Sequence, residues 1–220
     1  MFRNKSVDRY GHRKTNSPLK TLLFGLIVLV AGTVASGAIA STASAERLSL
    51  IKTPASGGTV SSSPSGIFCG WLTPCSSASA DFPSGASVNL NASPRYGHYV
   101  RSVTGCDWSS PTPPTASDVL CRVGMTRSRS VFATFAPNPT IRVIKTPTAG
   151  GTVSSSPSGL VCGSLCTADF PPGTSVTLSV RPMPGYRFDR WSGACSGSTS
   201  TCSIPMSTAS RVVGAIFRRS

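Results

Sequence analysis

The protein is a chain of 220 residues in which 21 Lys and Arg stand against 7 Asp and Glu, a net charge of +14 at pH 7. It contains 21 Gly, 18 Pro and 8 Cys but only 2 His, so little material is present for acid–base catalysis or for an acid-rich metal site. The length allows one or two small domains once the N-terminus is set aside.

Residues 1–45 are predicted to be a signal peptide. Six basic residues and one acid precede an apolar run over residues 21–40, and small residues follow at Ala43 and Ala45. This order is typical of an export signal cleaved between Ala45 and Glu46. The alternative is a signal anchor that stays in the membrane through residues 21–40. Both alternatives place the chain after residue 45 outside the cytoplasm, secreted or in the cell envelope.

The exported part keeps a positive charge. Beyond residue 45 there are 15 basic and 6 acidic residues, which gives 15 − 6 = +9. Such a surface attracts anionic envelope polymers, lipid head groups or nucleic acid, and it also keeps a protein soluble. No nucleic-acid-binding motif occurs. The partner is not identified by the sequence; an anionic envelope polymer or another surface protein would fit.

One phrase is written twice. "IKTPASGGTVSSSPSG" covers residues 51–66 and "IKTPTAGGTVSSSPSG" covers residues 144–159, with two differences in sixteen positions. Each copy is followed by a cysteine pair, an "ADFP" segment, a Gly among aromatic residues, a second cysteine pair and an alternating closing segment. This register predicts a module over residues 46–136, a Pro-rich linker over 137–140 and a second module over 141–220.

The apolar residues alternate with polar ones, as half-buried strands require. Clear examples are Val88, Leu90 and Ala92, and Val176, Leu178 and Val180. Gly, Pro and Ser clusters between such segments indicate turns. We therefore expect an all-β fold with five or six short strands per module, sandwich-like or β-grasp-like. The repeated phrase is expected to form a strand, a Gly-Gly turn and a second strand that ends at Pro64 or Pro157.

The first module carries an insertion between its second pair of cysteines. Residues 107–120 are rich in Pro and Ser and replace a much shorter segment of the second module. Such composition is typical of an exposed loop, which we expect here.

All eight cysteines follow residue 45, which in an exported chain predicts disulfides. Modules this small bury too little apolar surface to be stable without such bonds. Four cysteines allow three connectivities, and we favour the bonds between close neighbours. A zinc site is the alternative, and the oxidising compartment disfavours it. The favoured pairs are Cys69–Cys75, Cys106–Cys121, Cys162–Cys166 and Cys195–Cys202.

The segment "GTSVTLSVRPMPGYRFDRWSGACSG", residues 173–197, resembles the divergent bacterial surface repeats related to the B repeats of internalin. Such repeats occur in tandem in exported proteins and are β-rich spacer or interaction modules. The resemblance implies that Phe188 and Trp191 form an aromatic core and that residues 213–217 complete the sheet.

The expected core also includes four phenylalanines: Phe82, Phe135, Phe170 and Phe217. In the first module Val100 and Val103 stand where the second has Phe188 and Trp191. We expect its missing aromatic volume to come from Tyr96, Tyr99 and Trp108.

No catalytic constellation is found. His98 is the one histidine after residue 45, and its counterpart in the second module is Tyr186. Asp81 and Asp169 are counterparts of each other, for which we expect a role in turns, accepting backbone N–H groups. The prediction is thus a non-enzymatic protein without catalytic residue, metal or cofactor, acting as a structural spacer or an adhesive or interaction module. The alternative function is binding of an anionic glycan, lipid head group or nucleic acid.

Overall fold

The computed structural model describes residues 44–163 and 166–220. The predicted signal peptide or anchor therefore lies outside the described residues, except for Ser44 and Ala45 at its end. Ala45 begins the first strand. Among the described residues, no helix is long and apolar enough to cross a membrane.

The fold is all-β, as predicted. Residues 45–137, here called the first half, form nine strands. They are β1 (Ala45–Thr53), β2 (Gly58–Ser63), β3 (Phe68–Cys69), β4 (Ser77–Pro83), β5 (Ser87–Pro94), β6 (His98–Thr104), β7 (Trp108–Ser110), β8 (Val119–Gly124) and β9 (Arg129–Pro137).

Residues 140–220, the second half, form eight strands and one short 3-10 helix over Thr148–Gly150. The strands are β10 (Thr140–Thr146), β11 (Gly151–Ser156), β12 (Val161–Cys162), β13 (Thr167–Asp169), β14 (Ser175–Pro182), β15 (Tyr186–Gly193), β16 (Thr201–Pro205) and β17 (Arg211–Arg219). The expectation of five or six strands per half was too low. Two strands in each half, β3 and β7 and then β12 and β13, have only two or three residues and are too short to show alternation.

Each half contains two sheets. The first half has the strand orders β4-β1-β9-β6 and β3-β2-β5-β8-β7, and the second half has β13-β10-β17-β15 and β12-β11-β14-β16. No sheet of the described chain includes strands from both halves. Buried residues of both sheets in a half meet in one cluster, such as Leu50 of β1 with Leu90 of β5. Of the two arrangements predicted, the strands form the sandwich-like one.

The first and last strands of each half lie side by side in parallel. Leu48 to Thr53 of β1 run alongside Arg129 to Thr134 of β9. Ile141 to Thr146 of β10 run alongside Arg211 to Ile216 of β17 in the same way. The remaining ladders of the described chain are antiparallel. The two terminal strands of a half therefore share one hydrogen-bonded ladder although the whole half separates them in sequence.

The repeated phrase folds as two strands joined by a glycine turn, but the two strands belong to different sheets. β1 ends at Thr53, and β2 begins at Gly58 in the other sheet. The turn passes directly over an aromatic ring: a Cβ added to Gly57 would lie 2.5 Å from the Cβ of Phe135. Gly150 meets Phe217 in the second half at the same distance. Glycine is required at both positions because the turn that passes from one sheet to the other leaves no room for a side chain above the phenylalanine ring.

Hydrogen bonds hold residues 138 and 139, which join the two halves. The backbone N–H of Asn138 donates to the carbonyl of Gly97 at 2.9 Å, and that of Phe170 donates to the carbonyl of Pro139 at 3.0 Å. The Asn138 side chain also donates to the Asp169 carboxylate at 3.1 Å. The linker residues are thus bonded to strands or turns on both sides of them.

Candidate binding surfaces

The eight cysteines form four disulfides, and none of them is a free thiol. All four bonds join close neighbours in sequence, with separations between 4 and 15 residues. The pairs are Cys69–Cys75, Cys106–Cys121, Cys162–Cys166 and Cys195–Cys202. Each bond therefore closes a local loop rather than joining the first and last strands of a half.

The aromatic residues of the second half form one cluster. The Phe188 ring lies edge-on to Trp191 at 5.1 Å between centroids and to Phe217 at 5.7 Å. Trp191 is buried, and its indole N–H donates to the carbonyl of Thr199 at 2.8 Å. Phe217 is buried and Phe188 is half-buried. Phe82, Phe135 and Phe170 are buried in the same way.

The first half does not replace these aromatics as expected. Val100 lies opposite Phe135 and Val103 opposite Ala133, the positions that Phe188 and Trp191 take in β15. Tyr99 is buried, but Tyr96 is 98% exposed and Trp108 is 51% exposed. The expectation was wrong for these two, because Tyr96 lies in the turn before β6 and Trp108 on the outer face of an edge strand.

A lysine occupies the interior of the first half. Lys52 is 1% exposed, and its ammonium donates to the carbonyls of Gly58 at 2.7 Å, Cys69 at 3.1 Å and Gly70 at 2.7 Å. Burial lowers the pKa of this ammonium. Its counterpart Lys145 is half-buried and donates to one carbonyl, that of Gly151. Nothing in the sequence separated these two lysines.

The predicted insertion loop is partly a strand. Trp108–Ser110 form β7 at the edge of the five-stranded sheet, and Val119 and Leu120 belong to β8. Asp107, just before β7, accepts the Gly124 backbone N–H at 2.6 Å and the Arg129 guanidinium at 2.9 Å. These two contacts, the backbone bond first, lower the pKa of the Asp107 carboxyl.

The acids singled out in the sequence do not hold turns. Asp81 lies in β4 and accepts two hydrogen bonds from the Arg47 guanidinium, at 2.8 and 2.9 Å, which lower the pKa of this carboxyl. Asp169 ends β13 and accepts from the Asn138 side chain. His98 is half-buried at the start of β6. No group of three or more His, Cys, Asp or Glu within the described residues is placed to hold a metal.

The outer side of the five-stranded sheet is polar in the middle and aromatic at its two edges; we call it the aromatic-edged face. Along β2 and β5, residues that alternate with the buried core point to this side. They include Thr59, Ser61, Asn89, Asn91 and Ser93, and β8 adds Leu120 and Arg122 to the same side. Phe68 of β3 is 69% exposed at one edge, and Trp108 of β7 lies at the other.

Two arginines of this face lie over tryptophan rings. The Arg95 guanidinium is 5.7 Å from the centroid of Trp71, and that of Arg122 is 5.7 Å from the centroid of Trp108. Trp71 lies in the loop closed by Cys69–Cys75, where Leu72 is 79% exposed. This loop and Thr59 line an open pocket of about 260 Å³. Cation–π contact holds the indole rings in place, and Trp71 and Trp108 remain 40% and 51% exposed.

A second surface is strongly basic. Arg187 of β15 lies opposite Arg218 of β17, and Arg219 is the next residue along β17. Asp189 forms ion pairs with Arg190 at 2.6 Å and with Arg218 at 3.0 Å. We call Arg187, Arg190 and Arg218 the basic cluster; Arg219 points to the opposite side of the sheet, because neighbouring residues of a strand alternate between its faces. Asp189 pairs with two of these guanidiniums, so the cluster keeps a positive charge.

Residues 141–220 match the sequence model of the divergent InlB B-repeat domain. The predicted relation to the B repeats of internalin is confirmed for this half of the chain. No curated protein matches the chain.

Two solved pilin structures align with most of the chain. The major pilin T3.2 of Streptococcus pyogenes serotype GAS13637 has a TM-score of 0.32 at 11% identity, with 80% of this chain and 98% of the pilin covered. The shaft pilin SpaA of Lactobacillus rhamnosus GG has a TM-score of 0.24 at 9% identity, with 79% and 98% covered. TM-scores this low do not indicate a shared fold, so the pilins carry no further argument.

Proposed function

We propose that this protein is a non-enzymatic structural element of the bacterial cell surface, a spacer that bears tension between its two ends. Residues 141–220 are related to a bacterial surface repeat, which supports a location outside the cytoplasm. The near-duplication of residues 51–66 at 144–159 and the matching terminal ladders support a second, divergent copy in the first half.

The parallel terminal strands carry this proposal. The chain enters the first half at Ala45 and leaves it at Pro137, the opposite ends of two parallel neighbours. Tension along the chain therefore pulls β1 and β9 past each other, and every hydrogen bond of the ladder is loaded at once. β10 and β17 repeat this geometry. A fold loaded in this direction resists extension better than one whose strands peel apart bond by bond.

Single-molecule pulling tests the proposal. Handles at Ser44 and Ser220 load both ladders in shear, and we expect two unfolding events per molecule. In the matched control, handles at Ser44 and Ser128 load the same β1–β9 ladder from one end, because Leu48 pairs with Arg129. This geometry should open at several-fold lower force. Equal forces in the two geometries would contradict a role under tension.

Location is tested separately. Antibodies against the folded protein should label intact cells of the source bacterium, and the mass of the recovered chain should show cleavage between Ala45 and Glu46 or retention of residues 1–45. Labelling only after permeabilisation would contradict a cell-surface role.

The basic cluster favours a second candidate function, binding of an anionic ligand. Arg187 lies opposite Arg218 on the paired strand, where like charges repel, and the nearby carboxylate of Asp189 already forms ion pairs with Arg218 and Arg190. The Arg187→Ala, Arg218→Ala double variant should elute from heparin at clearly lower salt than Arg127→Ala, Arg142→Ala, which removes the same charge from exposed sites elsewhere. If both variants eluted at the same salt concentration, retention on heparin would depend on net charge alone, which would contradict a binding site at the basic cluster.

A further inference from the structure

The aromatic-edged face has the composition of a surface that binds a chain of sugars. We propose that it is a polysaccharide-binding site, occupied by several consecutive, largely uncharged sugar rings. The proposal rests on the extracellular location given under the proposed function, but not on the mechanical role. The two can therefore fail separately.

The aromatic edges would stack against sugar rings. A large apolar side chain that is exposed gains nothing from folding, yet Phe68, Trp71 and Trp108 are all exposed on this one face. A pyranose ring presents a flat side of C–H groups, which packs favourably on an indole or phenyl face. Arg95 and Arg122 orient the two indoles, so little side-chain freedom would be lost on binding.

The middle of the face would bind hydroxyl groups. Along β2 and β5 its side chains are amides and hydroxyls, which both donate and accept hydrogen bonds as sugar hydroxyls do. Four strand spacings separate β3 from β7, roughly 19 Å, enough for a few sugar rings in a row.

Other ligands fit this face less well. Nucleic acid needs several basic side chains for its phosphates, whereas here five neutral polar residues accompany two arginines already placed over indoles. A membrane surface favours a continuous apolar face with a basic rim, and the polar middle separates the aromatic edges. The ligand chemistry that matches both parts of the face is that of a polysaccharide.

The site is confined to the first half. Val161 stands where Phe68 stands, and the segment between Cys162 and Cys166, "GSL", contains no aromatic residue. The corresponding sheet of the second half has four described strands and ends at β16. Among the described residues, it has no fifth strand that corresponds to β7. The aromatics that the first half lacks in its core lie on its surface instead.

Affinity electrophoresis tests the proposal. The protein expressed from its full-length sequence is run in acidic native gels containing dextran, mannan, xylan or mixed-linkage β-glucan, and in gels without polymer. We expect at least one polymer to retard it. Trp71→Ala and Trp108→Ala should each weaken this binding by about tenfold, since each removes one stacking platform. Asn89→Ala should weaken it as well.

Phe132→Ala is the matched control. Phe132 is an aromatic residue of similar exposure, 46%, on the other sheet of the same half. This variant should bind like the unchanged protein, and the unfolding transitions of all variants should coincide. The proposal is overturned if none of the four polymers retards the protein, or if the tryptophan variants bind as well as Phe132→Ala. Binding only to single-stranded DNA or to vesicles of anionic lipid would overturn it too.

Discussion

Gly150 lies so close to Phe217 that a Cβ added to it would sit 2.5 Å from the Cβ and 2.7 Å from the Cγ of that side chain. Phe217 is buried in the second half, so neither the ring nor the turn can move away freely. We expect Gly150→Ala to lower the free energy of unfolding by about 2 kcal/mol through overpacking. Chemical denaturation followed by tryptophan fluorescence measures this change.

Gly163 provides the control for that substitution. A Cβ at Gly163 would meet only the Thr152 side chain at 3.6 Å, an ordinary contact. Gly163→Ala should leave stability within about 0.5 kcal/mol of the unchanged protein. If both variants were equally destabilised, the cause would be the loss of glycine itself rather than the contact with Phe217.

Lys52→Met should destabilise the first half by about 2 kcal/mol. The change removes the ammonium and with it three hydrogen bonds to carbonyls in the interior of the first half. Lys145→Met removes one such bond from a half-buried site and should cost less than about 1 kcal/mol. Denaturant unfolding of the two variants makes the comparison. A larger loss in Lys145→Met would contradict the role assigned to Lys52.

The disulfides should differ in their effect on stability. In the chain-entropy picture, Cys106–Cys121, with a separation of 15 residues, contributes about 3 kcal/mol, and a bond spanning 4 residues, Cys162–Cys166, contributes about 2 kcal/mol. Replacing both cysteines of one pair by alanine and measuring thermal unfolding tests this order. The reverse order would show that packing around the sulfurs, rather than loop length, determines the effect.

Acid should destabilise the first half through Asp107. Its folded-state pKa lies below the ordinary value of 3.8, so the stabilisation is present above pH 3.8 and is lost as the pH falls through the lower folded value. Asp107→Asn should therefore be less stable at neutral pH and lose less stability on acidification. Denaturant midpoints measured from neutral pH down to strong acid give both quantities.

Asp118→Asn is the charge-matched control for this experiment. Asp118 is exposed in the same half and contacts neither Gly124 nor Arg129. The Asp118→Asn variant should be as stable as the unchanged protein at neutral pH. Identical acid profiles for Asp107→Asn and the unchanged protein would show that the Gly124 and Arg129 contacts contribute nothing.

Much of the fold could be predicted because patterns in the order of the residues indicate it. Alternation at Val176, Leu178 and Val180 indicates β14, and the repeated phrase sets the register between the halves. Cysteine spacing favours local bonds, which the structure contains. Alternation, repetition and close cysteine spacing can all be read from the order of the residues, without knowing which strands pair.

The candidate surfaces could not be predicted in the same way. Lys52 and Lys145 occupy the same position in the repeated phrase. Lys52 nevertheless donates to three carbonyls and Lys145 to one. The cysteine loops that follow the two lysines differ in length, with separations of 6 and 4 residues, so the same phrase meets different surroundings in the two halves. Trp108 was expected in the core because of its size. Its exposure depends on the pairing of β7 with β8, which proline-rich sequence does not reveal.

The local disulfides also set how far the protein can lengthen. None of them joins β1 to β9 or β10 to β17, so nothing covalent prevents the terminal strands of a half from separating under load. Once a ladder breaks, most of that half can be drawn out, and only the short loops behind the bonds stay closed. A half that yields in this way releases contour length and dissipates energy. Under the tension proposed for this protein, such lengthening would lower the peak force at its two ends compared with that of a fully cross-linked chain.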